Sequence, residues 1–397
     1  MQPEESRGDR TLVVQLARLG DLVQSLPAIE ALRQAFPASI LDAICAAPLT
    51  PVLHACPAIR KVLPWDGTQW RALADRWNGD AATVLESACA SIGELSEPPY
   101  DRVYNLNQHA RGVLLAHLLG RQTIGAGAEG PLASELTPWG AYLQEVARER
   151  AGNRVHLSDA WCGMCGVKPL GCAPRLVVTT EELPSDLSPI GQATGFWVAL
   201  AIGAGDAIRC IPPAAWADWI QRFFERVGDG RVVLVGSGHE REAGQAIQDV
   251  LPPLLRARIW DTIGRTSLPQ LMQVLARCRW VVGADTGPLH LATAVGTQAL
   301  GFYFARARVH ETGPYGDGHL VFQHASEAPP VRWPWAESID VLQGARPADP
   351  KDWSLWESRL DRWGARFVSG TEDNRAVAMR ESVWRALSPT IGESIAA

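Results

Sequence analysis

No Asp-x-Asp occurs anywhere in the 397 residues, and no His/Cys pattern has the spacing of a structural zinc site. The first absence removes the usual carboxylate pair that holds Mg²⁺ or Mn²⁺ on a nucleotide diphosphate. A basic excess is also missing: 37 Lys and Arg face 43 Asp and Glu, a net charge of −6, so the electrostatic footprint of a nucleic-acid binder is absent. No apolar run is long enough to span a bilayer, and the first ten residues, MQPEESRGDR, carry no apolar signal core. The expectation is a cytoplasmic protein. The eight cysteines (45, 56, 89, 162, 165, 172, 210, 278) are scattered, and read as small side chains rather than a disulfide framework. Tyrosine is scarce, with five against sixteen tryptophans; most Trp read as core, with Trp333 and Trp335 as candidate exposed anchors.

What is present reads as an α/β enzyme of more than one domain. Strands are predicted at 11–16, 40–45, 61–64 and 102–106, with helices at 26–36 and 111–119 between them. A second series starts at Phe196 and continues at 231–236, 259–263, 280–283 and 299–303, with helices at 213–227, 240–251, 268–278 and 289–295. The Pro/Gly-rich stretch Gly166 to Pro189 divides the series. The expected architecture is two doubly wound, Rossmann-like domains facing across a cleft: 1–175, then 176–345, then a helical C-terminal extension over 346–397, with helix expected over 352–389. Ligands of such sheets sit at the carboxyl ends of the strands.

The most informative stretch is Val281 to Gly296, VVGADTGPLHLATAVG. An apolar strand stops at a small-residue loop, and a helix begins beside it. Loop N–H groups and the helix dipole there favour an anion. Asp285 and His290 add groups for a hydroxyl and a phosphate, and Thr286 and Gly287 lie between them. This arrangement suits a nucleotide sugar. The Asp-Thr-Gly also matches aspartic proteases, but that chemistry needs two such aspartates and the chain has one. Gly20 and Asp21 fall where the first strand hands over to a helix; Asp21 reads as a general base or as a helix N-cap. Gly203 lies in a Gly-rich loop that reads as a phosphate cradle or a plain turn, and Arg209 beyond it as a diphosphate clamp. Glu240 reads as a ribose ligand or as a helix-start carboxylate. Trp161-Cys162-Gly163-Met164-Cys165 has thioredoxin-like spacing, but with no strand before it packing is the better reading.

Four segments in this order resemble glycosyltransferase family 9, the heptosyltransferases of lipopolysaccharide core assembly: LARLGDLVQSLPAI from Leu16, YDRVYNL from Tyr100, GRTSL from Gly264, and DTGPLHLA from Asp285. The resemblance covers about 11–325. It implies a GT-B fold, metal-independent inverting transfer with no cofactor, and an ADP-activated heptose as donor. It places Asp21 as the base on the acceptor hydroxyl, Thr286, Gly287 and His290 around the diphosphate, Asp285 on donor hydroxyls and Glu240 on the ribose. The implied partners are a nucleotide sugar and a glycan or glycolipid acceptor, with no nucleic acid. A lipid-linked acceptor would bring the protein to the inner face of the cytoplasmic membrane, where Arg102, His109 and Arg111 offer a polar surface. Three positions depart from the family. Arg209-Cys210-Ile211-Pro212 stands where a Lys-Arg-Trp-Pro-like segment is usual, Gln24 stands where many members have His, and the tail is longer. Two other readings stay open: a nucleotide-sugar epimerase of similar fold, and a catalytically inactive nucleotide-sugar-binding scaffold.

Overall fold

The computed structural model describes residues 9–76, 81–96, 98–125, 137–150, 152–190, 195–370, 374–389 and 391. Two compact units emerge. The first comprises, among the described residues, Met1–Glu149, Ser158–Leu170 and Trp384–Ala397; the second comprises Arg150–Leu157 and Gly171–Val383.

The first unit is built on β1 (Arg10–Gln15), β2 (Ile40–Ala46), β3 (Lys61–Trp65), β4 (Tyr100–Asn105) and β5 (Gly120–Gly125). They form one parallel sheet in the order β3-β2-β1-β4-β5. The central strand is buried from Thr11 to Gln15, as expected for a strand covered on both faces. Helix Leu26–Ala35 opens with Pro27, whose missing N–H costs nothing in a first turn. It buries Leu26, Ile29 and Leu32, the helical spacing that predicts it. One charge is sealed under this sheet. Asp42 has no exposed surface and accepts from Arg60 Nε at 3.0 Å and Nη2 at 2.7 Å, and from the Tyr100 hydroxyl at 3.0 Å. A buried carboxylate persists only when its lone pairs are used in this way.

The second unit holds β6 (Phe196–Ala201), β7 (Gly230–Val235), β8 (Ile259–Asp261), β9 (Trp280–Ala284), β10 (Gln298–Tyr303), β11 (Leu320–His324), β12 (Trp353–Asp361) and β13 (Gly364–Val368). Their order is β13-β12-β11-β10-β9-β6-β7-β8, so the six parallel strands follow the doubly wound pattern and two antiparallel strands extend it. Helix Pro213–Arg226 turns Trp216, Trp219, Ile220 and Phe223 onto one face against this sheet. Trp219 donates its indole N–H to Ser338 Oγ at 3.0 Å, so its polar edge is satisfied in the core.

Two expectations are corrected here. The tail is not helical throughout: helix is expected over 352–389, but Trp353–Asp361 and Gly364–Val368 pair as a hairpin and only Asn374–Leu387 is helical. The pairing Asp361↔Gly364 leaves a two-residue turn, and Gly364 takes φ +99°, open to glycine at little steric cost. Buried Trp353 and Leu355 alternate with less buried neighbours, a period of two that aromatic helix-compatible composition conceals. Residues 371–373, 390 and 392–397 of the tail, and 1–8 at the start of the chain, lie outside the described residues. Trp333 and Trp335 are not exposed anchors. They stack at 5.0 Å in a cluster with Phe302 and Trp353, and Trp335 is 4% exposed.

Burial pushes the His319 imidazole down to about 4, so the native state keeps it neutral well below the pH at which the unfolded chain protonates it, about 6.5. The folded state thus gains from His319 fully above about 6.5 and loses that gain as pH falls toward 4. Between pH 7.5 and 5, urea denaturation of the natural chain should lose on the order of 2 kcal/mol more stability than the His319→Gln variant. Equal losses in both would contradict this.

Candidate functional site

In a doubly wound sheet the strand order reverses once, and the loops leaving the two central strands part there and leave a crevice. The first unit reverses between β1 and β4, the second between β6 and β9. Every site residue expected from the sequence lies on a loop or first helical turn that follows β1, β6, β7 or β9.

In the first unit, Asn107 builds the reversal point. Its side-chain oxygen accepts from Leu16 N at 2.9 Å, and its amide donates to Val14 O and Asn105 Oδ1, both at 2.9 Å. Gly112 makes room for it, since a Cβ there would come within 2.7 Å of Asn107 Cβ. The loop so held delivers the chain into helix Leu19–Gln24. Arg18 occupies the N-cap, and Gly20 and Asp21 lie in the first turn, both partly exposed. Asp21 is therefore not the N-cap; its carboxylate sits where the helix dipole favours negative charge. Gln24 is 4% exposed, and its Oε1 has no hydrogen-bond partner among the described residues. His109 caps helix Ala110–Leu119, accepting from Gly112 N at 3.0 Å, which gives it a structural task.

The second unit carries the denser constellation. Asp285 follows β9 and is 8% exposed. Arg209, from the loop after β6, donates through Nη1 to Asp285 Oδ2 at 2.7 Å and, at 3.3 Å, to its carbonyl. His290 Nε2 lies 3.1 Å from Asp285 Oδ1. Burial alone would raise the Asp285 carboxyl, but His290 and Arg209 outweigh it and hold it below its ordinary value. Asp285 is thus an anion fixed between two donors. Beside it, helix Gly287–Ala294 opens at the N-cap Thr286, whose side chain makes no cap hydrogen bond. In that first turn Pro288 has no N–H and those of Leu289 and His290 donate to Thr286 O, which leaves the Gly287 N–H for an anion. His290 is 3% exposed, and its Nδ1 has no hydrogen-bond partner among the described residues.

Glu240 and Gly203 meet at the adjoining edge. Glu240 Oε2 accepts from Ser237 N and Ser237 Oγ, each at 2.6 Å, in a capping box. The helix-start role is therefore physically made. A Cβ on Gly203 would lie 2.7 Å from three Glu240 side-chain atoms, so only glycine lets the β6 loop approach this carboxylate. Gly264, in the GRTSL segment, has φ +62° and its Cβ would lie 2.8 Å from Gly238 Cα, which brings that segment onto the same loop.

Several groups are brought to Asp285 that no sequence motif marks. Tyr303, fully buried at the end of β10, donates its hydroxyl to Thr312 O at 2.7 Å; burial and the nearby Asp285 hold its phenol well above the ordinary value. His156 Nε2 donates to Gly313 O at 2.8 Å, and burial drives it down to about 3, so it is a neutral donor. Glu311 is 8% exposed and pairs with Arg150 at 3.2 Å. Arg150 and His156 lie more than 125 residues before Asp285, and nothing in their local sequence predicts the meeting. Among the described residues, no three His, Cys, Asp or Glu side chains gather as a metal-binding set. The thioredoxin-like spacing has a plain explanation. Cys162 and Cys165 are free, buried, and pushed by burial well above the ordinary thiol range, and Gly163 packs on Trp139.

Removing Arg209 would leave a buried anion short of one donor. Arg209→Ala should destabilise the protein by on the order of 3 kcal/mol at pH 7 in urea melts. Arg209→Ala with Asp285→Asn should recover much of that loss, because the charge needing the partner is gone. Additive losses would show that the pair does not hold the site.

Residues 196–334 match the family model for glycosyltransferase family 9 (heptosyltransferase). Lipopolysaccharide heptosyltransferase 1 of Pseudomonas aeruginosa is 25% identical over 328 residues, covering 77% of this chain and 81% of that protein. Lipopolysaccharide heptosyltransferase 2 of Escherichia coli is 23% identical over 319 residues, covering 74% and 82%. Among solved structures, E. coli ADP-heptose lipopolysaccharide heptosyltransferase II aligns with a TM-score of 0.61 at 18% identity, over 84% of this chain and 97% of that one. E. coli heptosyltransferase WaaC with ADP aligns with a TM-score of 0.55 at 20% identity, over 77% and 91%. The structural matches show the two-domain GT-B fold; with the family match on β6 to β11 and the relatives spread over three quarters of the sequence, this chain is similar to the lipopolysaccharide heptosyltransferases of glycosyltransferase family 9 and is a glycosyltransferase of that likeness.

Proposed function

We propose that this glycosyltransferase moves heptose from ADP-heptose to a lipopolysaccharide core or another surface-glycan acceptor, by inverting displacement and without a metal. The observation that carries the donor side is the buried Asp285 carboxylate held between Arg209 and His290 at a helix N-terminus. Inverting transfer needs a base on the acceptor hydroxyl and charge stabilisation on the departing diphosphate. Asp21, partly exposed in a first helical turn, is suited to the first task. Arg209, His290 and the Gly287 N–H beside Thr286 are suited to the second. A guanidinium in place of a lysine keeps the charge and adds a bidentate fork.

Asp285, ionised in its pocket, accepts from donor-sugar hydroxyls in this reading. Glu240, placed against Gly203, accepts from the ribose while its other oxygen keeps Ser237. The relatives named for lipopolysaccharide heptosyl transfer support both the donor class and the acceptor class. An acceptor of that kind lies at a membrane surface, and peripheral association is part of the proposal; among the described residues no helix is long and apolar enough to cross a membrane.

The test is transfer from ADP-heptose to a heptose-deficient lipopolysaccharide core acceptor, with EDTA present. The natural chain should turn over, and Asp21→Ala should lose about 100-fold or more in rate while still binding ADP-heptose. Full activity in folded Asp21→Ala, or activity that EDTA abolishes, would sink the mechanism.

A further inference from the structure

We propose that Glu311 is a specificity-determining residue of the donor site, accepting a hydroxyl of the donor sugar beside Asp285. This rests on the donor reading above and names a residue that neither the sequence motifs nor the family resemblance assigns. Glu311 lies in the short helix Val309–Thr312, after β10. That segment is tied to the site twice, because Thr312 O accepts from Tyr303 and Gly313 O accepts from His156. Its side chain keeps about a tenth of its surface, so it is not fully sealed in the core.

The carboxylate is only half satisfied. One oxygen faces Arg150 Nη2 at 3.2 Å, while Oε2 is buried with no hydrogen-bond partner among the described residues. A desolvated carboxylate oxygen without a donor is costly, and a sugar hydroxyl is the donor the proposed ligand brings. The groups acting on Glu311 are Arg150, Arg308 and Arg306, which favour its charge, and Asp285, which opposes it. Arg308 is itself turned toward Glu327 and the carbonyls of Ala305 and Ala307, and Arg150 also donates to Arg306 O. Asp285 is bound to Arg209 and His290. Burial dominates this balance and raises the Glu311 carboxyl to about 7. In the empty site it therefore takes a proton near neutral pH, and a ligand that donates to it favours the ionised form. Donor binding should tighten as pH rises through 7.

Calorimetry with ADP and with ADP-heptose separates the sugar contact from the nucleotide contact. ADP-heptose has a diesterified diphosphate that does not titrate near neutrality, so its pH profile reads the protein. At pH 8, Glu311→Ala should weaken ADP-heptose about 10-fold and leave ADP within about 2-fold. For the natural chain, ADP-heptose affinity should fall severalfold from pH 8 to pH 6, and Glu311→Gln should bind more weakly at pH 8 and lose that dependence. Glutamine is neutral and of the same shape, so it should fold where burial already opposes the charge. Equal weakening of ADP and ADP-heptose, or unchanged ADP-heptose affinity in either folded variant, would reduce Glu311 to a structural partner of Arg150 and overturn the proposal. If the natural chain bound neither ligand, the donor reading itself would fall and this assignment with it. If it bound both, and only the variants behaved alike, the donor reading would stand and the Glu311 assignment alone would be lost.

Discussion

A carboxylate that is 8% exposed, at the point where a parallel sheet reverses its strand order, is costly to keep ionised, and the second unit is organised around meeting that cost. Asp285 is held by Arg209 from the neighbouring crossover and by His290 one helical turn away. The three come from two loops and a helix that meet only because β6 and β9 are adjacent in the sheet while more than 75 residues apart in the chain. The close approach of those strands needs Gly283, whose Cβ would lie 2.9 Å from that of Ala201. Strand order, a small residue and an ion pair are thus one device.

The same geometry appears in the first unit in a neutral version. Asn107 and Asn105 replace the ion pair, and their amides hold the loop that leads into the helix of Asp21. An amide network costs less to bury than charge and leaves the nearby carboxylate open to solvent. The contrast fits the proposed division of labour. A base must exchange protons with its surroundings, whereas a sugar-binding carboxylate works best fixed and ionised.

Much of this was legible in the sequence. The apolar strands, the helix starting near His290 and the small-residue loops after them are local features, and period and turn chemistry report them. Glycines at 203 and 264 were visible as glycines, but the contacts that require them were not. The hairpin of β12 and β13 reads as helix in the sequence because Trp353 and Trp356 stand three residues apart, a helical spacing, among charged residues that a helix also tolerates; pairing with β11 decides it. Likewise, Trp333 and Trp335 near the tail turn inward only because β10 and β12 supply aromatic neighbours.

Short contiguous segments carry the two α/β series, the placement of Asp21, Arg209, Glu240 and Asp285 just after strands, and the family resemblance. That Arg209 closes on Asp285, that Glu240 reaches back to Ser237, and that Tyr303, His156, Arg150 and Glu311 surround the site follows from the packed fold alone. Burial and charge balance depend on which distant strands become neighbours. No local pattern encodes that, because the desolvation that sets these groups apart exists only once the sheet has formed.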